Sequence, residues 1–86
     1  MSEKLIQAAA DYLQLLDEAE RANEAAADEL TALAKRLDER EQASLATALV
    51  SMGRLHRVEA LEANAQAEAV KAAVSDYGPD ARADDA

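Results

Sequence analysis

An unbroken heptad stripe constrains this chain more than any other feature of its sequence. From Leu5 to Leu37, apolar or small residues recur at alternating steps of four and three, with no Gly or Pro between them. Asn23 is the one polar member of the stripe. This spacing is typical of a helix that packs along its whole length against another helix. The ten positions are Leu5, Ala9, Tyr12, Leu16, Ala19, Asn23, Ala26, Leu30, Leu33 and Leu37.

The stripe ends at Leu37, because the next positions in phase are Arg40, Ser44, Thr47 and Ser51. This break predicts a turn at residues 38–41, in which Asp38 and Glu41 have the spacing of a capping box. We therefore predict an all-α fold, a long antiparallel helical hairpin with helix 1 at about 3–37 and helix 2 at about 39–76. One continuous helix is the alternative.

The segment 37–45 reads Leu-Asp-Glu-Arg-Glu-Gln-Ala-Ser-Leu. Over these nine residues it resembles the interhelical turn of the Rop family of small RNA-binding helical hairpins. The resemblance implies a turn at this place. It implies nothing about RNA, because the RNA-binding face of that family is basic and this chain is acidic.

Composition excludes several other classes of protein. The 86 residues include two Gly, one Pro and no Cys, which leaves little for the turns of a sheet and nothing for a disulfide or a thiolate site. No apolar run is long enough to span a membrane, and the N-terminus lacks a secretion signal. We therefore expect a soluble, cytoplasmic protein without a membrane partner.

Helix 1 has more apolar width than one facing helix needs, because Ile6, Leu13 and Leu15 flank the stripe. This surplus predicts self-association, with two hairpins forming a homodimer of the coiled-coil or four-helix-bundle type. The predicted domain is residues 1–77, and residues 78–86 are expected to form a flexible acidic C-terminal tail.

The net charge of −9 is unevenly distributed along the chain. Residues 1–30 have eight acids and two bases, residues 31–57 have three acids and five bases, and residues 58–86 have seven acids and two bases. An acidic chain repels nucleic acid, so we expect no direct nucleic-acid partner. A protein partner with a basic surface fits this charge better.

Residues that could support chemistry are sparse. His56 is the one histidine, and Glu59 is the one carboxylate at helical spacing from it, which is too few ligands for a metal. The sequence has no Gly-rich phosphate loop and no Ser with a well-placed His. We therefore expect no cofactor, no metal and no enzymatic activity.

These features favour a small acidic, non-catalytic protein-binding module that acts stoichiometrically as an adaptor, an assembly chaperone or an inhibitor. The alternative is an acidic nucleic-acid mimic that blocks a DNA- or RNA-binding protein. Two surfaces are candidates for contacting the partner. One lies around Gly53, where the apolar stripe of helix 2 changes face, and includes Val50 and Leu55. The other is the acidic outer face of helix 1, which includes Asp17, Glu20, Glu24 and Asp28.

Overall fold

The computed structural model describes residues 2–77, which form two long helices packed as an antiparallel hairpin. Helix α1 spans Glu3–Glu39, and helix α2 spans Ala43–Tyr77. The prediction of an all-α helical hairpin is confirmed. The predicted tail, residues 78–86, lies outside the described residues.

Helix α1 begins at a well-formed N-cap. The Ser2 side-chain oxygen accepts a hydrogen bond of 3.2 Å from the backbone N–H of Leu5. This bond satisfies one of the N–H groups that a helix start leaves unpaired. Glu3 lies in the first turn, where a negative charge is favoured by the helix dipole.

The turn lies at residues 40–42, later than the predicted 38–41. Asp38 belongs to α1, so the proposed capping box is wrong. The chain instead ends α1 with a Schellman motif: the N–H of Glu41 donates to the Asp38 carbonyl and the N–H of Gln42 donates to the Leu37 carbonyl. Glu41 takes the left-handed conformation that this motif requires, with φ of 63°. Helix α2 therefore begins at Ala43, about four residues later than expected.

In both helices, the residues that face the other helix recur at alternating steps of three and four. The side chains of α1 that are buried or half-buried against α2 include Leu16, Asn23 and Leu30, which belong to the predicted stripe. The other half of the predicted stripe is displaced by one residue, because Ala27 and Ala34 are buried while Leu33 is exposed. The inward positions of α1 are Ile6, Ala9, Leu13, Leu16, Glu20, Asn23, Ala27, Leu30, Ala34 and Leu37.

Helix α2 turns mainly small residues toward α1. Ala46, Gly53, Ala60 and Ala63 are all buried, whereas the large side chains of the same helix lie mostly outside the interface. Small residues let two helix axes approach closely, and this approach decides which positions of α1 face inward. The inward positions of α2 are Ala46, Leu49, Gly53, His56, Ala60, Ala63, Ala67, Val70 and Val74.

Gly53 lies at a close contact in the middle of an uninterrupted helix. A Cβ atom added there would lie 3.6 Å from the Ala27 carbonyl oxygen and 3.8 Å from both Leu30 Cβ and Thr31 Oγ1. These are ordinary van der Waals distances, so there is room for a methyl group and little more.

We expect Gly53→Ala to stabilise the protein by about 0.5–1 kcal/mol, because Gly is about 1 kcal/mol less favourable than Ala inside a helix. Gly53→Leu should instead cost about 1–3 kcal/mol through overpacking against α1. Urea unfolding of the three proteins at one concentration measures both effects. A destabilised Gly53→Ala variant would contradict the spacing described here.

We expect Glu41→Gly to stabilise the protein by about 0.5–1 kcal/mol, because a non-Gly residue in the left-handed region costs about 1–2 kcal/mol. Glu39→Gly, in the last helical position of α1, is the matched control and should destabilise by about 0.5–1 kcal/mol. Thermal unfolding monitored by circular dichroism should move the two midpoints in opposite directions.

Candidate protein-binding faces

The heptad geometry gives the hairpin two faces of different chemistry, one on each side of the interhelical contact. On the polar face, Asp17, Glu24 and Thr31 of α1 flank the contact beside Val50 and Arg57 of α2. The apolar face lies on the other side. Its flanking residues are Leu5, Tyr12, Ala19, Ala26 and Leu33 of α1, with Leu45, Met52, Glu59, Gln66 and Ala73 of α2.

A shallow groove of about 500 Å³ crosses the polar face near the turn, and Val50 lines it. Methyl groups of Ala34 and Ala46 contribute to its floor, while Lys35 and Arg54 supply two cationic groups. The groove therefore combines an apolar floor with a charged rim, which suits an apolar anchor from another protein. Its lining residues are Thr31, Ala34, Lys35, Asp38, Ala46, Thr47, Val50, Ser51 and Arg54.

The four acidic residues proposed from the sequence share the polar face with Val50. Glu20 and Glu24 line a second, smaller groove together with Arg57, Ala60 and Leu61. The two candidate surfaces of the sequence analysis are thus two ends of one face, with the groove at Val50 near the turn and the acidic residues farther from it.

Two of the four carboxylates are paired with cations. Asp17 forms an ion pair of 3.0 Å with Arg21, and Asp28 forms one of 3.5 Å with Arg57. Glu20 is half-buried and accepts a long hydrogen bond of 3.5 Å from the Asn64 amide. Exposed ion pairs of this kind contribute at most about 1 kcal/mol each, so they partly neutralise the face without rigidly fixing it.

Val50, Gly53 and Leu55 do not form one patch. Gly53 is buried against α1, so its backbone serves the hairpin rather than a partner. Leu55 points away from Val50 by about 140° around α2, given 100° per residue. It is 66% exposed and lies beside the apolar face. Of the three predicted anchor positions, Val50 is the one that lies on the polar face.

Ten large apolar side chains are exposed, and most of them belong to or border the apolar face. Within residues 2–76, Leu16 is the one large hydrophobic residue that is buried. Since a fully buried large side chain contributes about 1.5–3 kcal/mol, the hairpin leaves a part of its available stabilisation unused. The exposed set is Leu5, Tyr12, Leu15, Leu33, Leu45, Val50, Met52, Leu55, Val58 and Leu61.

A polar pair crosses the interhelical contact at its centre. The Nδ1 of His56 lies 2.8 Å from the Oδ1 of Asn23, and the Asn23 amide nitrogen donates a bond of 2.9 Å to the Ala19 carbonyl. The sequence flagged Asn23 as a polar interruption of the stripe without identifying its partner. The pair satisfies two half-buried polar side chains and marks one alignment of the two helices.

We expect Asn23→Ala to destabilise the hairpin by about 1–2 kcal/mol, because it leaves the half-buried His56 ring N–H without its acceptor. His56→Ala should cost less in the Asn23→Ala background than in the wild type. A double-mutant cycle from urea unfolding measures the difference. Strict additivity of the two changes would show that the pair carries no coupling.

The groove residues Lys35, Arg54 and Leu61 were not among the predicted site residues. Leu61 is 70% exposed and lines the smaller groove beside Glu20 and Glu24. The sequence analysis named only carboxylates for this part of the face. Within residues 2–77, no group of three His, Asp or Glu side chains is placed to hold a metal ion. In the same part of the chain, neither helix has a stretch apolar and long enough to cross a bilayer.

Comparison of the chain with models of protein families, with curated proteins and with solved structures gave no significant match.

Proposed function

We propose that this chain is a small acidic, non-catalytic protein-binding module that acts stoichiometrically, as an adaptor, an assembly chaperone or an inhibitor of its partner. In this proposal the hairpin works as part of an oligomeric helical bundle. The observation that carries the proposal is the exposure of ten large apolar side chains on a hairpin whose buried residues are mainly small. Exposed apolar surface of this extent marks sites of protein contact.

The polar face is the proposed surface for a different protein. Its groove offers Val50 and two Ala methyl groups to an apolar anchor, and its far end offers carboxylates to basic residues. Buried apolar contacts supply most of the binding free energy at such interfaces, whereas charges at the rim mainly raise the rate of association. The partner that fits has an exposed apolar side chain beside a basic surface.

A nucleic-acid mimic is the second candidate. It is supported by the placement of Asp17, Glu20, Glu24 and Asp28 on one face of the hairpin. A mimic needs carboxylates available to the partner's cations. The pairing of Asp17 with Arg21 and of Asp28 with Arg57 therefore weakens this candidate.

We expect Val50→Asp to abolish capture of the protein that co-purifies with a tagged copy of this chain from its native cell. Helicity and oligomeric state should be unchanged, because Val50 is exposed at the rim of a groove. Val58→Asp is the matched control, since Val58 is the same residue type on the outward side of α2, and it should bind normally. Equal loss in both variants would argue against the groove as the anchor.

Charge reversal separates the two candidate functions. We expect the double variant Glu20→Lys and Glu24→Lys to slow association severalfold while the dissociation rate stays nearly constant, measured by surface plasmon resonance with the purified partner. The nucleic-acid mimic requires the opposite ranking: normal binding by Val50→Asp, and loss of binding by the charge-reversed variant at low salt.

A further inference from the structure

We propose that the apolar face binds a second copy of this chain, with α1 lying antiparallel on α1 and the two turns at opposite ends of the dimer. Self-association is part of the function proposed above; the face, the orientation and the alignment of the second copy are inferred here.

The α1 side of the apolar face is an uncharged stripe that runs the length of the helix. Leu5, Tyr12, Ala19, Ala26 and Leu33 succeed one another at seven-residue intervals. Leu5 and Tyr12 are exposed by 55% and 45%, respectively. The α2 side differs, because Glu59 and Gln66 follow Leu45 and Met52 at the same interval. A second hairpin that placed α2 on the α1 stripe would desolvate Glu59 against apolar side chains, which is unfavourable. Placing α1 on α1 keeps Glu59 off the α1 stripe.

The α1 stripe is symmetric about Ala19. A twofold axis at this residue puts Leu5 level with Leu33 of the second copy, and Tyr12 level with Ala26 of the second copy. The largest side chain of the stripe thus opposes a methyl group, and the axis itself falls on a pair of alanines, which allows the two helices to approach closely. An isologous contact of this kind closes on itself as a dimer.

Charge favours the same orientation. The half of the hairpin next to the turn, residues 22–57, has six acids and five bases, a net charge of −1. Residues 2–21, with five acids and two bases, and residues 58–77, with four acids and one base, each have a net charge of −3. Turns at opposite ends set the nearly neutral half of each copy over the acidic half of the other. Turns at the same end would instead stack the two acidic halves on each other.

Single-cysteine variants test the alignment directly, because the sequence contains no cysteine. Ala19→Cys should form an intermolecular disulfide under mild oxidation, since the twofold axis brings two Cα atoms within the distance of about 4.4–6.8 Å that a disulfide needs. Leu5→Cys alone should not crosslink, because the two copies of residue 5 would lie about 42 Å apart along the helix. A mixture of Leu5→Cys and Leu33→Cys chains should give the mixed disulfide.

Glu18→Cys is the matched control, because it lies one residue from the axis but on the outward side of α1, and it should stay reduced. Sedimentation of the reduced proteins at micromolar concentration should give a dimer for every variant. Crosslinking of Leu5→Cys as readily as Ala19→Cys would overturn the orientation and indicate turns at the same end. A monomer without any crosslink would overturn self-association on this face. Either result leaves the Val50 groove to be judged by its own binding assay.

Discussion

The close approach of two helices across small side chains is the constraint on which the rest of this molecule depends. Ala46, Gly53, Ala60 and Ala63 of α2 are buried against α1 and leave room for few large residues between the helices. The Leu, Met and Tyr side chains that would fill the core of a wider bundle therefore flank the contact. Both faces, the groove at Val50 and the stripe centred on Ala19, result from this packing. A partner protein and a second copy of the chain would cover the surfaces that the hairpin leaves exposed.

The heptad period predicted the hairpin, but it could not fix which residues face inward. The apolar surface of α1 is about three heptad positions wide. Two sets of inward residues, shifted by one residue at every second position, therefore have the same spacing. The phase taken from the sequence included Leu5, Tyr12 and Leu33, all of which are exposed. The deciding information lay in α2, where the inward positions are mainly alanine and glycine. Alanine and glycine differ little in hydropathy from the residues around them. The inward positions of α2 therefore could not be recognised from the sequence.

The sequence predicted the residues of the candidate site but not their arrangement. The arrangement depends on which residues of α1 and α2 face each other. The acidic residues of α1 and Val50 were identified separately, and the packing of the helices brings them to one face. Leu55 was assigned to that surface, yet it lies beside the opposite face. The groove required Lys35 and Arg54 from different helices, which only the alignment of α1 with α2 brings together. The left-handed Glu41 also escaped prediction, because the residue that usually signals such a turn is glycine.

Among the large hydrophobic side chains of residues 2–76, Leu16 alone is buried, and this has a consequence for the abundance of the protein in a cell. When association supplies much of the free energy of folding, the folded fraction rises with the concentration of chains or of partner. Copies made in excess of what they can bind would populate open states that proteases recognise. Turnover would then match the amount of this chain to its binding sites, without any dedicated regulator of its dosage.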